Sequence, residues 1–228
     1  MDRLNGSPGE NAARPRRGRY EEEIALLRTR YGTPLDEWIT IDRRNTTTGP
    51  AGFPLSSRRT AEVVFVVPRT RSRVLFHTKR FYPAGVWRLP TGGLHRLETI
   101  EAAVRREILE ETSLPLEPVR FLFHLRFRWA GLRKEFQSFG FLMTPAHGAI
   151  RSQDRREQIA GFRDLSRSQV GRMAHRLASL EGSWASWGRF RAAPHRAVLR
   201  LWPEDGGWFP DPEEGAGPTP PSSGPPSR

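Results

Sequence analysis

Glu107, Glu110 and Glu111 stand at i, i+3 and i+4, and this spacing restricts the chain's fold more tightly than any other feature. On an α-helix it gathers all three carboxylates on one face. A helix is expected here because Thr99 can cap a start at Ile100, and Ile100, Ala103, Val104 and Ile108 then form a buried stripe. Three like charges side by side repel, so stability gives no reason to place them together. A hard divalent cation does. Magnesium takes carboxylate oxygens, keeps several waters and bridges to substrate phosphates. The preceding Pro90-Thr91-Gly92-Gly93 is expected to be a tight turn whose glycines let the backbone approach a ligand closely. Arg106 can hold a neighbouring carboxylate through a bidentate pair.

Around this segment the chain alternates strand and helix patterns. Tyr20–Tyr31 carries Ile24, Leu27 and Tyr31 at helical spacing, with Gly32 as the stop. Residues 45–57 form a Thr/Gly/Pro/Ser connector. Two apolar runs, Ala61–Val67 and Val74–Lys79, predict a hairpin turning at Arg69–Ser72. Val119–Trp129 and Glu135–Met143 predict two more strands joined near Gly131, and Gln158–Leu165 a shorter one. Gln169–Leu180 reads as an amphipathic helix. Trp184–Trp202 reads as another, interrupted or kinked by Pro194, whose tryptophans suit either packing or base stacking. The resulting division is a disordered basic tail (1–19), an N-terminal extension (20–57), a central domain (58–182), a C-terminal helical segment (183–202) and a disordered Pro/Gly-rich tail (203–228).

Composition removes several classes of function. The absence of cysteine excludes disulfides, zinc–thiolate sites and cysteine catalysis. Residues 1–19 have no apolar core of a secretory signal, and Val63–Val67 is far too short to span a bilayer, so a soluble cytoplasmic protein without a membrane partner is expected. The net charge of +12 is carried almost wholly by arginine, since Lys79 and Lys134 are the two lysines. Nucleic-acid binding, an anionic small-molecule substrate and a coding bias towards arginine all fit that sign.

The spacing within residues 92–114 resembles the signature of the Nudix hydrolases: Gly92, Glu98, Arg106, Glu107, Ile108, Glu110, Glu111 and Leu114 fall at its positions. Its final glycine is replaced by Ser113, Leu97 stands where a glycine usually precedes the first glutamate, and His95 where many members are acidic. The resemblance covers about residues 58–182. It implies an α/β fold, an α/β/α sandwich around a mixed β-sheet. It also implies Glu107 and Glu111 as main metal ligands, with Glu110 a ligand or the base that activates water. Gly92 would offer a carbonyl at the substrate side of the Gly92-Gly93 segment, and Glu98 and Arg106 would orient the ligand carboxylates. Glu157 is the candidate for a further acidic ligand, against a surface salt bridge, with Asp154 as the second choice. His95 is either a plain loop residue or a phosphate contact.

The implied activity is magnesium-dependent hydrolysis, with manganese as the alternative ion, of a phosphoanhydride bond. The substrate would be a nucleoside diphosphate linked to another moiety, or a nucleoside triphosphate. An RNA-directed Nudix enzyme acting on 5′ ends and a non-catalytic nucleotide-binding regulator are the competing readings. A homodimer is compatible with the N-terminal extension.

Overall fold

The computed structural model describes residues 20–42, 59–153 and 157–209, and the fold builds outward from its most apolar strand. That strand, β2 (Ala61–Val66), is buried at all six positions, the mark of a central strand covered on both faces. It lies between β7 (Glu135–Met143), to which it is parallel, and the short antiparallel β5 (Thr91–Gly93). With β1 (Leu35–Ile41) and β6 (Pro118–Trp129) they form a mixed five-stranded sheet, β1-β6-β7-β2-β5. A second sheet, β3-β4-β8, contains β3 (Pro68–Thr70), β4 (Arg73–Lys79) and β8 (Ile159–Ser166).

Alternation along β2 divides the core. Val63 and Phe65 pack with α1 (Glu21–Tyr31) and α2 (Ile100–Thr112), while Val64 and Val66 face α4 (Ala185–Leu201) and its neighbour α3 (Arg167–Ala178). The mixed sheet between helical layers agrees with the expected α/β class. Gly188 lets α4 close onto α3, since a Cβ there would fall 2.1 Å from the Leu177 carbonyl oxygen. α4 runs through Pro194, and the His195 ring donates from Nδ1 to the Arg191 carbonyl at 2.7 Å. Trp187 and Trp202 are each 4% exposed, so these two tryptophans pack and offer no stacking platform.

Several expectations need correction. The hairpin at residues 69–72 joins β3 to β4, whereas β2 and β4 belong to different sheets. The Thr91–Gly93 segment is a strand and not a turn. The N-terminal extension was expected to carry only a helix, but it also adds a strand to the sheet, because β1 pairs in parallel with β6 along Leu35–Ile41. β1 escaped notice because its alternation is inverted in chemistry: Glu37 is half-buried and ion-pairs with Arg200, while Trp38 is 45% exposed beneath the guanidinium of Arg126. Residues 203–209, assigned to the irregular tail, are held in place. Trp208 is 8% exposed against Trp202, and its backbone N–H donates to the Arg71 carbonyl at 3.2 Å. The basic tail 1–19, the connector 45–57, Asp154 and residues 210–228 lie outside the described residues. Among the described residues no helix is long and apolar enough to cross a membrane.

Candidate active site

Helix α2 begins as its sequence dictates, with Thr99 Oγ1 accepting from the Ala102 N–H at 3.1 Å. α1 secures the same end: Glu23 accepts from the Ile100 N–H, and Tyr31 donates to Glu101 at 2.7 Å. The opposite end closes on Ser113 in the left-handed region, φ 60°. Leu97, in the loop before the helix, is left-handed too, at φ 68°. The two departures at glycine positions of the family signature therefore fall where glycine would be relaxed, each at a cost of about 1 kcal/mol.

Within this frame the carboxylates occupy contrasting environments. Glu98 receives both Nε and Nη2 of Arg106, at 2.7 and 2.8 Å, and the His95 N–H at 2.9 Å. The Arg106 bonds hold its pKa below the usual carboxylate range. Arg106 also reaches Glu107 at 2.8 Å, Glu110 at 3.5 Å and the Gly93 carbonyl at 3.0 Å, tying α2 to β5. These carboxylates push its own pKa upward. Glu107 is mostly buried, and burial raises its pKa. Its carboxyl group lies against Gly92, where a Cβ would come within 2.1 Å of Cδ, so residue 92 must be glycine for Glu107 to sit there. Glu111 is fully enclosed with both oxygens unpartnered, and burial pushes its pKa up to about 8. The nearest imidazole nitrogen, Nδ1 of His77, is 3.7 Å away, and burial holds that ring well below its ordinary pKa.

A cavity of about 190 Å³ opens beside this helix face. Glu107, Glu157 and Gly92 line one side, and Glu62, Arg88 and Arg191 form its buried floor. Glu157 thus reaches the expected cavity and also makes the alternative salt bridge, to Lys79. Glu110 remains half-exposed, and His95 stands on the surface. Among the described residues no three acidic or imidazole side chains are already drawn together as a ligand cluster. Glu110 and Glu157 are turned instead towards Arg106 and Lys79. The donor set still suits a hard cation: two buried carboxylates one helical turn apart, one of them lacking any hydrogen-bond donor.

The floor was not expected from the sequence. Its signals were Glu62 inside the apolar run Ala61–Val67 and Arg88 between Trp87 and Leu89, charged residues where burial was certain.

A model of the NUDIX domain matches residues 57–187. The chain belongs to the Nudix family. It is accordingly a Nudix pyrophosphohydrolase, and the match ends within the first turn of α4, so most of that helix lies beyond it. Solved structures with a similar fold include a MutT NUDIX hydrolase from Burkholderia pseudomallei, 24% identical, covering 48% of this chain and 84% of that one at a TM-score of 0.41. The E. coli dihydroneopterin triphosphate pyrophosphohydrolase is 19% identical, covering 63% and 94% at 0.43. A UDP-X diphosphatase is 15% identical, covering 65% and 67% at 0.43. No curated protein matches the chain.

Proposed function

We propose that this Nudix enzyme uses magnesium to hydrolyse the diphosphate bond of a nucleoside diphosphate linked to another group, or of a nucleoside triphosphate. The observation that carries the reading is Glu111, a fully buried carboxylate with no donor to either oxygen, one helical turn behind Glu107, which itself lines the cavity. Glu107 and Glu111 would hold the ion, with Glu110 and Glu157 able to turn from their cations to complete the set or to accept a proton from water. When bound, magnesium neutralises charge on the diphosphate oxygens and acidifies a coordinated water.

The protein's own contribution is position and charge. Arg106, fixed by the Glu98 fork and the Gly93 carbonyl, keeps Glu107 pressed against Gly92. Gly92 and Gly93 present bare backbone to the cavity. Phe81 and Tyr82, with rings 5.0 Å apart in an edge-to-face pair, line the cavity with aromatic surface that suits a nucleobase.

A magnesium-dependent phosphate-release screen against nucleoside triphosphates, nucleotide sugars, ADP-ribose, dinucleoside polyphosphates and capped RNA tests the reading and chooses among substrates. Glu107→Gln and Glu111→Gln should each abolish the release seen with the unaltered chain. Full turnover in both variants overturns the metal assignment.

A further inference from the structure

Two guanidinium groups are buried in the cavity floor, and their partners differ in kind. Arg191, delivered by α4, donates from Nη1 to both oxygens of Glu62, at 2.9 and 2.8 Å, and Ser138 donates to the same carboxylate at 2.8 Å. That pair is neutral. Arg88 is only 3% exposed, yet all three of its hydrogen bonds go to uncharged acceptors. Nε donates to the Tyr82 hydroxyl at 2.5 Å, and Nη1 to Thr91 Oγ1 at 2.6 Å and to the Leu89 carbonyl at 3.1 Å. Among the described residues no carboxylate lies within ion-pair distance of Arg88. Its Nη2 has no protein partner and is not among the buried unpaired atoms, so it opens onto the cavity that Arg88 lines.

A guanidinium does not escape burial by losing its proton, and Glu111 and Glu62 act on Arg88 only through space, so its free edge can still take an anion in direct contact. Glu62 is already committed to Arg191. The neutral clamp of Tyr82 and Thr91 leaves one edge of the fork unused, which is the geometry that receives a phosphate oxygen. Thr91 also adjoins Gly92, against which Glu107 is pressed, so the cationic group and the carboxylate wall meet along one short strand.

We infer that Arg88 is a substrate-binding residue that takes a phosphate oxygen of the diphosphate, with Tyr82 and Thr91 as the residues that position its guanidinium. The inference rests on the diphosphate reading of the site, and its test separates the two. The probe is methylenediphosphonate, whose P–C–P bridge is not hydrolysed, titrated calorimetrically into the full chain at saturating magnesium. Thermal melting with magnesium alone reports the ion site independently.

Arg88→Gln should weaken diphosphonate binding by roughly tenfold to a hundredfold, the range for a lost charged hydrogen bond, while the magnesium-induced melting shift persists. Glu107→Gln should lose that shift. Diphosphonate binding by Arg88→Gln within twofold of the unaltered chain overturns the assignment and leaves the diphosphate reading standing. Loss of the magnesium shift in Arg88→Gln also overturns it, because Arg88 then acts on the ion site. No binding by the unaltered chain overturns the diphosphate reading itself. If Arg88→Gln does not fold, Tyr82→Phe and Thr91→Val keep the charge and free the fork. Each should raise KM several-fold for whichever substrate the screen identifies, with kcat little changed, and an unchanged KM in both overturns the assignment.

Discussion

At one end of the Nudix signature Glu98 is gripped by the fork of Arg106 and is more acidic than a free carboxylate; at the other end Glu111 is enclosed without a single donor, and its pKa is pushed up to about 8. Both are glutamates of one motif, on or next to one helix, and both are shielded from solvent. The contrast separates a carboxylate committed to holding the protein together from one with no hydrogen-bond donor. Glu98 spends its lone pairs on holding Arg106, and through Arg106 it orients Glu107. Glu111 keeps its lone pairs unspent, a costly arrangement in the free protein that a cation would relieve.

The sharpest way to break this comparison is to remove the two charges separately. Glu111→Gln should lower turnover by about 10³-fold or more, the order expected when several kcal/mol of charge stabilisation are lost. The same change should raise the melting temperature of the magnesium-free protein by a few degrees, on the order of 1 kcal/mol, since a buried acid without a hydrogen-bond donor is gone. Calorimetry with and without magnesium checks both halves, and a lower melting temperature in the magnesium-free variant would contradict the reading of Glu111. Glu98→Gln and Arg106→Lys should each cost about 10–100-fold in activity, the scale for residues that orient a ligand. Neither should stabilise the protein. Their double variant should lose little more than the worse single one, because both changes break the same pair.

A smaller effect concerns the core and not the helix. His195 is buried and uncharged, and burial holds its pKa to about 3 against an ordinary 6.5. Below pH 6.5 the unfolded chain therefore binds a proton that the folded chain refuses. Stability contributed by the neutral ring is present above pH 6.5 and declines as pH falls from there towards 3. His195→Leu should flatten the fall between pH 6.5 and 5, where it amounts to about 1–2 kcal/mol, as read by denaturant titration at each pH. The least expected change comes from restoring glycine. Leu97→Gly should stabilise by up to about 1 kcal/mol. Ser113→Gly should gain less, because the 2.8 Å bond from Ser113 Oγ to the Arg151 carbonyl is lost. Activity should stay level in both.

Much of the structure was legible in advance because it depends on local rules. Thr99 caps α2, Ile100 to Ile108 form its buried stripe, and β6 and β7 fall where period and composition put them. β1 was hidden because an outward Trp38 and an inward Glu37 are satisfied by Arg126, Arg128 and Arg200, residues distant in sequence. The ordered segment beyond Pro203 was hidden for a similar reason: Trp208 finds Trp202 nearby, but its backbone N–H is answered by the Arg71 carbonyl. In the site, helical spacing predicted that the carboxylates share a face. It said nothing of the opposite floor, because Glu62, Arg88 and Arg191 come together only across strands and α4.

The sequence alone determined the carboxylate helix, its capping and its family, since spacing along one helix is fixed by 3.6 residues per turn wherever the helix lies. Only tertiary structure decided the electrical state of each group. Burial and charged partners arrive from elements far apart in the chain, and these made Glu98 a strut, left Glu111 without a donor, and left Arg88 as a buried cation with no carboxylate to meet it.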